Sequence, residues 1–387
     1  MFSVGAWAQS RINITFSATE GIAPQAILHY PNGTQKLINQ AGLVDLPQKG
    51  QYRLSAVPKR KANPIADELY SFKDIVIHTT GADSTYQARG VYSRHQSTGM
   101  LFVPNRANEI LGFHWQDLQN GNAEPQVKIT TPTEVLLLAA DTLGNLWYWD
   151  NESLNKINFG DVATGQARIA LKAPVPVAYN ALFNSNAMRI DRLNRLWMSL
   201  SVENKVVVID LAKISNGKAA EPVTTLQLEL SPSDLALSAD LSQLALSTVG
   251  GFAVYELPKP LPAGVVSLSP RTRSIEIGSF AAVDFDANGR LWASSQNGGL
   301  FSFSPRTLSA GEIRTGQEDQ EIGTPDYIYW GILFDNSNKL WAMPRWEDGS
   351  GIDLFDPQKV SNNEPEQRYS FARNVEHGKF VLVMPRR

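Results

Sequence analysis

One short motif returns along most of this chain at a nearly fixed spacing, and that return excludes most folds. Its full form, Asp-x-x-Gly/Asn-x-Leu-Trp, stands at Asp141–Trp147, Asp191–Trp197, Asp286–Trp292 and Asp335–Trp341. Ser238–Ala245 is a degenerate copy, and Gly99–Phe102 and Gly378–Val381 are partial copies at either end. Counted at the Leu/Phe position, the copies fall at 101, 146, 196, 244, 291, 340 and 380, in steps of 45, 50, 48, 47, 49 and 40. Strand-like content with a period in the forties marks an array of small repeated sheets rather than one continuous core.

Each copy carries the same local physics. An apolar strand such as Ala281–Phe285 runs into the Asp. Gly or Asn at the fourth place tolerates the positive φ of a tight turn. A second strand opens with Leu-Trp, and successive strand residues face opposite ways. The pair therefore offers one large apolar side chain to each neighbouring repeat. Third strands read at Lys205–Ile209, Gly251–Tyr255 and Leu300–Phe303, and fourth strands at Thr225–Leu230 and Arg273–Ile277. Four strands per repeat make a propeller blade. The fold class is all-β, and seven turns predict a seven-bladed β-propeller over residues 85–387. The last copy has one strand after its turn, so its blade needs outer strands from upstream, at Asp74–His78 or Tyr86–Tyr92. A six-bladed ring with a terminal hairpin is the alternative.

The repeat resembles the D-x-x-G-x-L-W repeats of bacterial sensor-type (two-component-regulator) propellers, and it is similar to NHL and regucalcin-like repeats. The resemblance covers roughly three-quarters of the chain. It implies a propeller and leaves the activity open, because one fold hosts many functions.

Residues 10–80 read differently. Ile12–Phe16 alternates apolar and polar as a half-buried strand does, Ala26–Tyr30 runs into the turn Pro31-Asn32-Gly33, and Gly42–Pro47, Gly50–Ala56 and Asp74–His78 follow. Short strands between Pro/Gly turns predict a small β-sandwich. The stretch Leu46-Pro47…Gly50-Gln51-Tyr52-Arg53-Leu54-Ser55-Ala56 resembles carboxypeptidase-regulatory-like sandwiches, which implies an accessory or adhesive domain. Lys59-Arg60-Lys61 reads as a solvated loop, and Gly81–Ser84 as a short linker or, if strands exchange, a buried crossing. Residues 1–9 contain Ala6-Trp7-Ala8, the small-residue pattern of a signal-peptidase site, without a charged start or a long apolar stretch. They read as the remnant of a signal-like segment, which predicts a periplasmic or extracellular, secreted bacterial protein.

Composition removes several chemistries. The net charge of −3 over 387 residues argues against a bulk phosphate-binding surface, so no nucleic-acid partner is expected. No run of eighteen apolar residues offers a membrane-spanning helix. The chain has no cysteine, which excludes disulfides and thiolate chemistry. No G-x-S-x-G elbow, P-loop or paired-histidine metal motif is present, although His95 and His114 could meet in space. Gly250-Gly251 reads as a strand-connecting turn rather than a phosphate cradle.

Strand geometry puts the lead-ins to first strands on the same face as the loops between second and third strands, with the Asp turns opposite. The loop face carries the candidates for ligand binding: Arg106, Asp150, Glu203, Asn297, Tyr327, Trp330, and the run Arg345, Trp346, Glu347, Asp348. Tyr329 also lies there, and Trp115, Trp149, Trp330 and Trp346 could form an aromatic platform or core. Glu134, Asn184, Asn186 and Asp234 are the candidates for a calcium ring, because hard cations take carboxylate and carbonyl oxygens. Regucalcin-like lactonases use such a ring. This chain lacks their glycine-bracketed acidic start, and its polar residues fall at differing offsets from the turn. The four turn Asp residues recur once per repeat, which marks them as structural, and Trp147, Trp197, Trp292 and Trp341 read as inter-blade core. The leading reading is a non-enzymatic binding protein, without a cofactor, whose loop face takes a protein, peptide or glycan. The competing readings are a calcium-dependent lactonase-like hydrolase and a separate subunit of a sensor ectodomain.

Overall fold

The structure is a computed structural model. It describes residues 10–383 apart from 19–21, 33, 48, 58, 62–67, 72–74, 81–83, 96–99, 106–107, 115–123, 164, 166, 176–186, 249, 276–277, 315, 323–327, 336–337, 345–350, 359–364, 366 and 371–380. The chain forms two units, the first running through Ser97 and the second over Thr98–Met384.

The first unit contains β1 (Ser10–Ser17), β2 (Ala26–His29), β3 (Gln35–Ile38), β4 (Gly42–Leu46), β5 (Gly50–Ala56), β6 (Lys59–Lys61), β7 (Glu68–Ser71), β8 (Ile75–Thr79), β9 (Thr85–Val91) and β10 (Ser93–His95). One sheet has the order β4-β1-β9 and a second β3-β2-β5-β8. Alternation in β1 buries Ile12 and Ile14, and these meet Leu28, Tyr52, Leu54 and Ile77 of the second sheet in one apolar cluster. A small third sheet, β10-β7-β6, takes in Lys59–Lys61, which is therefore a strand rather than a loop.

Two expectations change here. Ile75–Thr79 pairs with β5, and Thr85–Val91 pairs in parallel with β1. Both strands are committed to the first unit, so neither completes a blade of the second. Residues 81–83, read as a linker or a crossing, lie outside the described residues, between β8 and β9 in sequence.

The second unit is a succession of small sheets. Among the described residues there are six, and in sheets 2 to 6 a short apolar strand leads into the motif turn. Sheet 2 runs Leu137–Ala140, Leu146–Trp149, Ser153–Ile157 and Ile169–Pro174. Sheet 3 has Met188–Ile190, Arg195–Leu200, Lys205–Asp210 and Thr224–Leu228; sheet 4 has Pro232–Leu237, Gln243–Thr248, Gly251–Glu256 and Thr272–Ser274. Sheet 5 has Phe280–Phe285, Leu291–Ser295, Leu300–Phe303 and Gln320–Ile322; sheet 6 has Tyr329–Phe334, Leu340–Pro344, Gly351–Phe355 and Gln367–Ser370. Sheet 1 combines Met100–Asn105, Glu109–His114 and Val127–Thr130 with the distant Val381–Val383, which pairs antiparallel to Met100–Phe102.

The first and last copies of the motif thus lie on strands of one sheet. Seven copies label six sheets, and the strand after the last turn needs no outer strands of its own, because sheet 1 supplies them.

Packing joins the sheets in a cycle. Apolar clusters lie between sheets 1 and 2, 2 and 3, 3 and 4, 4 and 5, 5 and 6, and 6 and 1. The Leu-Trp pair does what its alternation requires. Leu196 enters the cluster shared with sheet 2, and Trp197 the cluster shared with sheet 4. Leu340 and Trp341 divide in the same way between sheets 5 and 1, and Leu101 and Phe102 between sheets 6 and 2. Inner strands lie side by side from sheet 1 through sheet 6, so they form the inner edge of a propeller-type ring.

Two sheets carry a fifth strand at the outer edge. Gly264–Leu268, from the connection between third and fourth strands of sheet 4, pairs in parallel with Thr224–Leu228 of sheet 3. Glu312–Ile313, from the same connection of sheet 5, pairs in parallel with Arg273–Ser274 of sheet 4.

Candidate functional site

The repeated carboxylates are consumed by the fold. Asp191 Oδ1 accepts the backbone N–H groups of Leu193 (2.8 Å) and Arg195 (3.0 Å). Its Oδ2 accepts the indole N–H of Trp197 (2.9 Å) and Nε of Arg195 (2.7 Å). Asp141 repeats the pattern with Leu143, Asn145 and Trp147, and Asp335 with Lys339 and Trp341. A buried indole N–H needs an acceptor, and the turn carboxylate provides it. In the degenerate copy Ala245 replaces the Trp, and Ser238 Oγ accepts the turn N–H groups of Ser242 and Gln243, with Asp240 Oδ1 sharing that of Ser242. Asp286 caps Asn288 and Arg290, whereas the buried Trp292 Nε1 has no hydrogen-bond partner.

The two ends of the ring are distinct. On one end, Thr133 Oγ1 donates to Asp150 Oδ2 (3.0 Å), Ser231 Oγ to Ser201 O (2.7 Å) and Gln296 N to Ser279 O (2.9 Å). These bonds join first-strand lead-ins to loops between second and third strands. On the other end the motif turns touch each other: Asn194 Oδ1 accepts from Thr142 N and Oγ1, and Asn338 Oδ1 from Ala287 N.

The candidates on the loop end separate into three groups. Arg106, Tyr327, Arg345, Trp346, Glu347 and Asp348, with Trp115, lie outside the described residues. Asp150 is tied into the fold, its side chain only 2% exposed. Burial alone would push its carboxyl up, but hydrogen bonds from Ser153, Asn155, Glu152 and Thr133 outweigh that and hold it low. Trp149 and Tyr329 are core residues, and the Tyr329 hydroxyl donates to the buried Asp353. Glu203, paired with Lys205 at 2.8 Å, and Asn297 do face solvent, as does Val202; Trp330 is half-buried. At the glycine pair, Gly251 (φ 143°) begins a strand, and a Cβ there would collide with Ser274 Oγ, which accepts the N–H of Phe252. His95 pairs in register with Leu69 in the first unit, whereas His114 ends a strand of the second.

The calcium candidates do not assemble among the described residues. Glu134 is exposed, Asn184 and Asn186 lie outside the described residues, and Asp234 is engaged elsewhere. No group of three or more His, Asp or Glu side chains able to hold a metal occurs among the described residues.

Asp234 belongs instead to an ionic cluster on the inner edge. Its Oδ2 accepts the N–H of Val283 (3.1 Å) and lies 3.6 Å from Arg189 Nη2. Asp284 Oδ2 accepts the N–H of Phe334 (2.7 Å), on the first strand of sheet 6. Inner strands have an unpaired edge, and these two carboxylates satisfy it across sheet boundaries. Burial pushes the Asp284 carboxyl up to about 6, against the pull of Arg189 and of the Phe334 and Phe285 N–H groups; Asp234 adds to the rise. The sequence sign of this cluster was a charged residue inside an otherwise apolar first strand: Arg189 in Met188–Ile190 and Asp284 in Phe280–Phe285.

No protein-family model and no curated protein matches the chain. Solved structures do resemble it in fold. A protein of unknown function from Bacteroides caccae has a TM-score of 0.50 at 9% identity, covering 74% of this chain and 99% of its own. A chain of a nidogen/laminin complex has a TM-score of 0.53 at 9% identity, covering 75% of this chain and 100% of its own. At this identity the likeness concerns the fold alone: the chain is all-β and of propeller type.

Proposed function

We propose that this chain is an exported binding protein. In this reading a six-bladed propeller presents its loop end to a protein, peptide or glycan, and a carboxypeptidase-regulatory-like sandwich precedes it as an accessory domain. The carrying observation is the set of solvent-facing side chains on the loop end of the ring. Carboxylates at the turn end are spent on indoles and turn amides, while Val202 (63% exposed), Glu203 and Asn297 at the loop end face solvent. Loops on a rigid scaffold are where binding residues concentrate. The nidogen/laminin chain is named for a complex with a partner protein, and this reading gives the present ring the same kind of use. Export rests on Ala6-Trp7-Ala8, and the six-bladed count on the cyclic packing of the sheets.

The test is binding of the labelled chain to glycan and peptide arrays. Val202→Asp, Asn297→Ala and Trp346→Ala should each weaken the hits at least about tenfold, roughly 1.4 kcal/mol. Leu193→Asp, at an exposed position on the turn end, should leave them unchanged. Hits lost through Leu193→Asp and kept in the loop variants would overturn the reading.

A further inference from the structure

β1 and β9 are the first and last strands of the first unit's β4-β1-β9 sheet, and they run side by side in the same direction. Seven residue pairs are in register, from Arg11↔Thr85 to Ser17↔Val91. The ladder is extended at both ends, by Arg11 N to Ser84 O (2.9 Å) and by Tyr92 N to Ser17 O (2.7 Å). The chain enters the unit at the start of β1, and from the end of β9 it passes through Tyr92 and the three-residue β10, paired with β7, before the second unit begins. In a parallel pair these points lie at opposite ends of the ladder. A pull between them acts along the strands, so every bond of the ladder is loaded at once and none can break alone.

The surroundings reinforce this. β1 lies between β9 and β4, so withdrawing it shears two ladders. Ile12 and Ile14 are fully buried, which locks β1 against sliding. The exit is fastened to the rest of the unit by the Tyr92 hydroxyl, which bonds to the Gln25 and Val57 carbonyls and accepts the Gln25 N–H. We propose that the first unit is a tension-bearing coupling, with the parallel β1–β9 ladder as a shear clamp between the start of β1 and the ring that follows. The inference rests on strand directions alone and stands or falls independently of what the ring binds.

The test is single-molecule force spectroscopy on the full chain. With no native cysteine, one introduced thiol defines each handle. The first axis pulls between the N-terminus and Val91→Cys, at an exposed residue closing β9. The second pulls between the N-terminus and Asp45→Cys. Asp45 pairs antiparallel with Arg11, so load enters at adjacent ends and peels the pair bond by bond. At equal force, the lifetime along the first axis should exceed that along the second by at least about tenfold, since forced unfolding is governed by the unfolding rate. Equal lifetimes, or a shorter one along the first axis, would overturn the proposal. Both proteins keep all ladder bonds, and matching thermal melts will show that the handles have not changed the fold.

Discussion

Replacing Asp191 with Ala removes four hydrogen bonds at once. Two are turn amides, Leu193 and Arg195, and water can reach them; losing such a cap costs about 1 kcal/mol. The third is the Trp197 indole N–H, on a side chain with 0% exposure, where water cannot substitute. Stranding it costs a further 1–3 kcal/mol or so. The Arg195 contact, on a partly exposed side chain, adds little. The expected loss is about 2–4 kcal/mol, read as a lower urea midpoint at unchanged slope. Ser238→Ala is the internal control. It removes two turn amide bonds, leaves the Ser242 N–H on Asp240 Oδ1 and strands no indole, so no more than about 1 kcal/mol is expected. The cycle of Asp191→Ala with Trp197→Phe isolates the indole bond, because Phe keeps the ring and lacks the donor. The double variant should lose about 1–2 kcal/mol less than the sum of the singles. If Asp191→Ala costs no more than Ser238→Ala, or the coupling vanishes, the pairing of turn acid and tryptophan is wrong.

Asp286→Ala should cost about 1 kcal/mol less than Asp335→Ala in the same urea assay, because Trp292 Nε1 already lacks a partner while Trp341 Nε1 has one. Asp284 has its folded pKa raised to about 6 from 3.8, so the folded state holds the extra proton between those values. Its contribution is fully present below about pH 4 and lost as pH rises through 6; Asp284→Asn should flatten that slope and add roughly 1–3 kcal/mol at pH 7, and an unaltered pH profile would refute this. Asn194 adopts φ 57° and accepts two bonds from Thr142. Asn194→Gly should lose about 1 kcal/mol, and Asn194→Ala about 1 kcal/mol more from left-handed strain, measured by thermal melts. Millimolar calcium should leave the melting temperature unmoved, given the engagement of Asp234 with Arg189 and Val283; a rise abolished by Asp234→Asn would restore the metal reading.

Periodicity made the repeat, the turn chemistry and the alternation of Leu196 and Trp197 legible, because each depends only on residues close in sequence. Closure was not legible. Both partial copies look like separate repeats, and only the pairing of Leu101 with Leu382 shows them to be one sheet. Thr85–Val91 reads as a strand from its pattern, but nothing in it says that β1 rather than a blade is its partner. The same limit applies to the site. Asp150 reads as an available loop carboxylate, but Thr133, from another segment, closes over it. Nothing near Asp284 in sequence marks it, because its partners Arg189 and Phe334 are distant in the chain.

The added outer strands bear on how the ring comes apart. Gly264–Leu268 is covalently part of the fourth repeat and hydrogen-bonded to the third, and Glu312–Ile313 links the fifth to the fourth in the same manner. Sheets 3, 4 and 5 are therefore buttoned into one block, which should behave as a single foldon in native-state hydrogen exchange. Amide protons of Lys205–Asp210 and Gly251–Glu256 should exchange through one common opening. The same connection of sheet 3 reaches sheet 2 without forming a strand, through Gly217 N to Lys172 O and Ala220 N to Pro174 O (both 2.8 Å), so amide protons of Ser153–Ile157 should be released at a lower opening free energy.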